Sequence, residues 1–220
     1  MPLIKIEHLA NAVFGVCEAT ENETFFLNQI SAGYMTGYEP QRFSERRRKE
    51  FLASRWLLRQ ILQDDSVSLA VDENGKLKDT KGNYQFSLSH SGNRVAAIAS
   101  KTHPVGIDVE EIHPRILKVM HKFLNEQEKQ ALGENPELWR ITLCWSAKES
   151  IFKMIETPGL SFSNDIQLSL PSNEAGSFIA NVNWNAQWQN VKMCFEKSDG
   201  FVLTYCVPTI NEGIALLRSQ

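Results

Sequence analysis

The chain has 220 residues, 42% of them hydrophobic and 22% charged, with a formal net charge of −3 and a pI near 6.0. That is enough to bury a real core, as one large domain or two small fused halves. It excludes a general attraction to nucleic acid or anionic membrane, so anion binding has to come from local clusters. Cys17, Cys144, Cys194 and Cys206 form no CxxC pair and read as reduced, mostly buried thiols, which makes a reducing cytoplasm the expected location. The opening MPLIKIEHLANAVFGV is broken by Lys5, Glu7 and His8, and no later window approaches the ~20 apolar residues of a membrane span.

In chain order, an alternating opening segment and NAVFGVCEAT predict strands, followed by a polar stretch to about residue 42 with room for a short helix. The run SERRRKEFLASRWLLRQILQ sets Phe51, Leu52, Trp56, Leu58 and Ile61 near helical spacing, with Ser44 as N-cap and Arg47 closing the first turn. VSLAVDENGKLKDT predicts strand, turn and short strand, because Asn74-Gly75 readily takes the positive φ of a hairpin turn. QFSLSHSGNRVAAIAS and PVGIDVEEI follow as β-rich segments. In KFLNEQEKQALG, Asn125 and Glu128 make a capping box and Gly133 a terminator, and a second helix covers residues 136–156. After Pro158-Gly159, the segments DIQLSL, SFIANVNW, NVKMCFEK and GFVLTYCV predict an antiparallel meander. Each half thus pairs helix with antiparallel sheet, an α+β architecture with no residue-level repeat.

Four constellations carry chemistry. VGIDVEEI alternates Val105, Ile107 and Val109 with Gly106, Asp108 and Glu110, so both carboxylates leave one face of a strand. A water-facing strand end is the plain reading; a hard divalent cation that takes carboxylate oxygens is the sharper one. CWSAKESIFK supplies a third carboxylate, since Trp145, Glu149, Phe152 and Lys153 share one helix face with Lys148 beside it. An ordinary surface Glu–Lys pair lies opposite an apolar stripe, whereas this one interrupts it. SLSHSG offers Ser87, Ser89, His90 and Ser91 before Gly92, either a hydrogen-bonded turn or a grip for phosphate oxygens, and without GxSxG it is no hydrolase elbow. ERRRK at 45–49, with Arg55 further on, piles cations on a helix start. That is either a solvated face or an anion site served by Arg46, Arg47 or Arg48.

Taken in order, RRRKEFLASRWLL, NGKL, FSLSHSG, VGIDVE, FLNEQE and WSAKESIFK resemble the signature series of the 4'-phosphopantetheinyl transferase superfamily, in its surfactin-synthetase-activating, pseudo-dimeric branch. The resemblance spans residues 44–153, and its most specific part is GIDVE followed about 35 residues later by WSAKESIFK. It implies two similar α/β halves about a pseudo-twofold axis, each an antiparallel-rich sheet packed with helices. Residues 1–103 would form the nucleotide-phosphate side of a coenzyme A site, and residues 104–220 would carry the metal and catalytic groups. The implied reaction moves the phosphopantetheine arm of coenzyme A, the co-substrate, to a serine of an acyl or peptidyl carrier protein. It depends on magnesium, with manganese as the alternative, and releases adenosine 3',5'-bisphosphate. By matched position, Asp108, Glu110 and Glu149 are metal ligands, and Asp108, Glu149 and Lys153 are catalytic, with either Glu149 or a metal-bound water as base. Lys148 and Lys153 match the lysines near the pyrophosphate, Ser89 and His90 the pair on the 3'-phosphate, Arg46 a phosphate-binding arginine, and Lys76 the adenine loop. Two departures stand out: Gly75-Lys76-Leu77 where the family has GKP, and Ala53-Ser54-Arg55 where it has AGR.

The implied protein is a monomer without nucleic-acid or membrane partners. IHPRILKVMHKF, from Ile112 to Phe123, is the candidate carrier-docking segment, its plainer reading being an amphipathic linker helix. A binder of coenzyme A or a nucleotide that catalyses nothing is disfavoured, because binding alone needs no third carboxylate facing a diphosphate. An RNA-binding face at RRRK lacks interleaved exposed aromatics and a basic overall balance. Fatty-acid, polyketide and nonribosomal-peptide carriers are equally compatible with this chain.

Overall fold

The computed structural model describes residues 2–73 and 75–207. Asn74 of the expected turn and residues 208–220 of the expected C-terminal half lie outside them. Strands β1 (Leu3–His8) and β2 (Val13–Glu18) are followed by a short helix α1 (Glu23–Leu27) and the long helix α2 (Glu45–Leu62). Ser44 caps α2 as its spacing predicts, its hydroxyl accepting the Arg47 N–H at 3.3 Å. β3 (Leu69–Val71) and β4 (Leu77–Asp79) form the predicted hairpin, with Gly75 at φ +78°. β5 (Gln85–Ser91) and β6 (Arg94–Ser100) complete an antiparallel sheet of order β1-β2-β6-β5.

The second half starts with β7 (Gly106–Glu111), then α3 (Glu126–Leu132), α4 (Leu138–Ile155), β8 (Ile166–Leu168), β9 (Ala175–Trp184), β10 (Gln187–Ser198) and β11 (Phe201–Cys206). The predicted meander is present, and β7 joins it beside β11 to give the order β7-β11-β10-β9-β8. The Asn125–Glu128 capping box closes in both directions. The segment after β7 differs from a linker helix: Pro114–Lys118 and Met120–Lys122 form two 3-10 turns. Ile112, Ile116, Val119 and Met120 turn inward against the core while Leu117 stays exposed.

Three apolar clusters hold these layers. One lies between α2 and the first sheet, around Leu57, Leu58, Phe86 and Val95. A second lies between α4 and the second sheet, around Ile151, Met193 and Val202. The third packs the other faces of the two sheets together, Phe14, Val16 and Ile98 against Ile107, Val109 and Leu203. β6 is therefore covered on both faces, which explains its unbroken RVAAIAS instead of an alternating pattern.

β5 and β7 lie side by side without a backbone ladder, and serine hydroxyls bridge them. Ser87 Oγ accepts the Ile107 N–H at 3.3 Å and Ser91 Oγ the Glu111 N–H at 3.1 Å, while Ser89 Oγ donates to Asp108 Oδ1 at 2.7 Å. Gly106 fixes how closely α4 approaches β7, because a Cβ there would stand 1.9 Å from the Ser150 carbonyl oxygen. Gly106→Ala is expected to destabilise the protein by at least ~1–3 kcal/mol, read as a lower urea midpoint, since backbone on both sides must shift. An unchanged midpoint would show that this helix can yield.

Candidate active site

Three motifs distant in sequence meet beside this serine seam. β7 projects Asp108 and Glu110 from the face turned toward α4, and α4 brings Glu149 and Lys153. Lys153 Nζ donates to Asp108 Oδ1 at 2.7 Å and to Ser89 Oγ at 3.0 Å. Asp108 is 2% exposed, and its Oδ2 is buried without a hydrogen-bond partner. Glu110 accepts from Ser91 Oγ at 2.8 Å and from the Trp145 indole N–H at 3.0 Å, so the tryptophan of the helix orients a carboxylate of the strand. Burial pushes both Glu110 and Glu149 above the usual glutamate range; the Asp108 charge adds to it and Lys153 opposes it.

A cavity of about 750 Å³ adjoins this cluster, bounded by α2, the β3–β4 hairpin, β5 and the C-terminal end of α4. Arg47, Arg55, Lys76, His90, Lys153 and Glu156 are among its walls. Arg47 Nη1 lies 3.0 Å from His90 Nε2, and Glu50 Oε2 lies 3.8 Å from Nδ1. Burial pushes the His90 pKa down; Glu50 opposes this, and Arg47, Lys153 and Arg46 reinforce it. Lys76 pairs with Glu156 at the end of α4, and Lys78 Nζ reaches the same carboxylate at 3.0 Å, so an ionic clasp ties the hairpin to the second half. Leu77, standing where the family has proline, puts its side chain into the α2 core.

Several expected residues sit elsewhere. Lys148 is not at the cavity: it is fully buried, and Nζ donates to Glu128 Oε2 at 2.7 Å and to the carbonyls of Phe123, Phe162 and Ile166 at 2.8, 2.8 and 3.1 Å. All its donors are used, so no pyrophosphate contact is left to it. Ser89 and His90 point to different sides, because strand alternation turns Ser89 to the carboxylates and His90 to the cavity. Arg46 points outward and donates to Glu50 at 2.7 Å, whereas the next residue, Arg47, lines the cavity. Arg48 is held by Glu23 and the Phe43 carbonyl.

Among the described residues no group of three His, Cys, Asp or Glu side chains is gathered closely enough to hold a metal ion, so Asp108, Glu110 and Glu149 do not form a closed ligand set. Their chemistry nonetheless fits a hard divalent cation: Asp108 has an unpaired buried oxygen, and two further carboxylates destabilised by burial lie within its field. Glu50 was missed as a site residue, although its position four residues after Arg46 was a signal; of the three candidate arginines, tertiary packing selects Arg47 for the cavity, and it likewise gives Trp145 its hold on Glu110 and Arg55 its place in the cavity wall.

Comparison with known proteins agrees with the sequence signature. A sequence model of the 4'-phosphopantetheinyl transferase superfamily matches residues 104–206. The chain is 31% identical over 128 residues to the 4'-phosphopantetheinyl transferase psf-1 of Bacillus pumilus, covering 52% of this chain and 54% of that protein. It is 29% identical over 110 residues to the 4'-phosphopantetheinyl transferase gsp of Aneurinibacillus migulanus, covering 48% and 46%. With the 4'-phosphopantetheinyl transferase AcpT of Salmonella typhi it shares 34% over 118 residues, covering 49% and 58%. The chain thus spans about half the length of these relatives.

Proposed function

We propose, from the match of residues 104–206 to the sequence model of the 4'-phosphopantetheinyl transferase superfamily, that the chain transfers the 4'-phosphopantetheine arm of coenzyme A to a serine of an acyl or peptidyl carrier protein. The observation that carries the reading is the meeting of Asp108, Glu149 and Lys153 beside a cavity whose walls also bear Arg47 and His90. A nucleotide with a diphosphate and a separate phosphate needs cations spread in this way.

In this reading Glu149 takes the proton of the carrier serine, and its raised pKa makes it a better base than an exposed glutamate. The serine oxygen bonds to the pantetheine-side phosphorus as the bond to the nucleotide phosphate breaks, releasing adenosine 3',5'-bisphosphate. Lys153 offsets charge on the diphosphate during that exchange. Asp108, Glu110 and Glu149 would hold magnesium, which when bound supplies charge neutralisation and alignment across the diphosphate. Ser91 and Trp145 keep Glu110 in place for it, and Ser89 does so for Asp108. Lys76 would border the adenine, Arg47 and His90 the 3'-phosphate. Residues 1–103 then supply the nucleotide side and 104–220 the reacting side, in a cytoplasmic monomer. The exposed Arg115, Leu117, Lys118 and Lys122 offer apolar and basic contacts to an acidic carrier. The test is mass spectrometry of an apo carrier protein incubated with coenzyme A and the chain, with and without magnesium. Transfer adds one phosphopantetheine group to the serine; a carrier whose mass stays fixed would leave a binder only.

The depressed His90 pKa gives a pH signature. Arg47, Glu50, Arg46 and Lys153 surround the ring, and without ligand it stays neutral to lower pH than a free histidine. A phosphate dianion beside it favours the protonated ring, so binding takes up a proton and affinity rises as pH falls from about 8 to about 6. His90→Asn is expected to lose this part of the dependence, leaving the phosphate's own titration, as calorimetry in buffers of different ionisation enthalpy would show. Equal proton uptake in both proteins would remove His90 from the phosphate.

A further inference from the structure

Glu50 has the wrong sign for a place where an anion is to be held. It lines the cavity at the end that carries Arg47 and His90, and it is 7% exposed. The other two carboxylates on the walls, Asp72 and Glu156, lie with Lys76 and Lys78 at the hairpin end. Glu50 Oε2 stands 3.8 Å from both Arg47 Nη1 and His90 Nδ1, too far for a hydrogen bond to either. The hydrogen bond that Glu50 accepts comes from Arg46 Nε at 2.7 Å, and Arg46 points outward. Arg47 and His90 hold each other instead: Nη1 lies 3.0 Å from Nε2, and since a guanidinium has no acceptor, the ring nitrogen takes this bond on its lone pair. Glu50 therefore acts on these two residues by its charge and not by fixing their geometry.

We propose that Glu50 is a built-in counter-charge that competes with the ligand's phosphomonoester for Arg47 and His90, keeping binding loose enough for the spent nucleotide to leave. The inference rests on the coenzyme A reading above and extends it from entry to release. Adenosine 3',5'-bisphosphate carries the same phosphomonoester as coenzyme A, so cations that capture the co-substrate also retain the product. With cations alone at this end, each turnover would wait on release. A carboxylate a few Å from the entering phosphate repels it as a like charge, enough to change an equilibrium constant about tenfold at the effective dielectric of a protein surface. Its withdrawal from solvent keeps that repulsion from being screened away by salt. The transfer step itself is untouched, because its carboxylates lie with Lys153 on the other side of Ser89.

The test is calorimetric titration of the full chain with coenzyme A, adenosine 3',5'-bisphosphate and 3'-dephospho-coenzyme A, at pH 8, where burial keeps the His90 ring neutral before ligand enters. Glu50→Gln is expected to tighten binding of the first two by about tenfold and to change the third by less than about twofold. In steady-state assays, inhibition by the bisphosphate should set in at about tenfold lower concentration in the variant. Unchanged or weaker binding of the bisphosphate, or equal tightening of all three ligands, overturns the counter-charge. Should the amide variant fail to fold, Glu50→Asp carries the test: the shorter side chain draws the charge back from Arg47 and His90, so the bisphosphate should bind about twofold more tightly. Unchanged or weaker binding there overturns the proposal as well. A wild-type chain that binds neither coenzyme A nor the bisphosphate overturns the coenzyme A reading and this inference with it.

Discussion

Glu149→Gln is expected to lower the turnover number by about 10²- to 10⁴-fold, the range associated with a positioned general base, while coenzyme A binding changes little. The amide keeps the size and hydrogen-bonding reach of the side chain but cannot take a proton from the carrier serine. Without metal, burial and the Asp108 charge hold the Glu149 carboxyl protonated to higher pH than an exposed glutamate, and a divalent cation on it opposes this, so the acid limb of the wild-type rate profile should move to lower pH as magnesium is raised. The rate climbs as pH rises through that limb, and in the variant the limb disappears. Steady-state assays with a mass-resolved carrier measure both. If excess magnesium restored the variant's rate, Glu149 would be acting only as a ligand; near wild-type turnover at ordinary magnesium would remove it from the chemistry altogether.

The second large effect falls on stability. Lys148→Ala should cost about 3–5 kcal/mol, the range found when one partner of a buried ion pair is removed. Glu128 would be left charged in a site 1% exposed, and three carbonyls from the 123–166 region would lose their shared donor. Lys153→Ala, five residues along the same helix, is expected to fold normally and to lose turnover instead, because its side chain is 26% exposed at the cavity rim. Denaturant melts of the two variants, run beside activity assays, should separate them cleanly. Equal melting midpoints would refute this division between the two lysines.

These two lysines also show where sequence reading stops. Local signals were legible: the Ser44 cap, the Asn125–Glu128 box, the hairpin around Gly75 and the strand that sends Asp108 and Glu110 to one face depend on neighbours within a few residues. Lys148 and Lys153 sit in one motif with the same chemical type, and what distinguishes them is that α3 and the 162–166 segment close over the first. Arg46 and Arg47 are adjacent on an exposed helix start, and the cavity selects between them only after β5 has brought His90 alongside. The parting of Ser89 from His90 was readable from strand alternation, since Ser87, Ser89 and Ser91 share a face by simple period. The 112–123 segment has helical apolar spacing, yet the His113 ring accepts the Arg115 N–H and the chain winds into 3-10 turns.

The hydroxyls that stitch β5 to β7 have a bearing on how the molecule survives damage. Each of those strands is the last in its sheet, so its outer flank would be an open edge without the other half. A proteolytic fragment ending before β7, or starting with it, would bare that edge together with the apolar residues behind it, a template for exchange with a second chain. The proposed chemistry thus sits on a junction that also guards against aggregation.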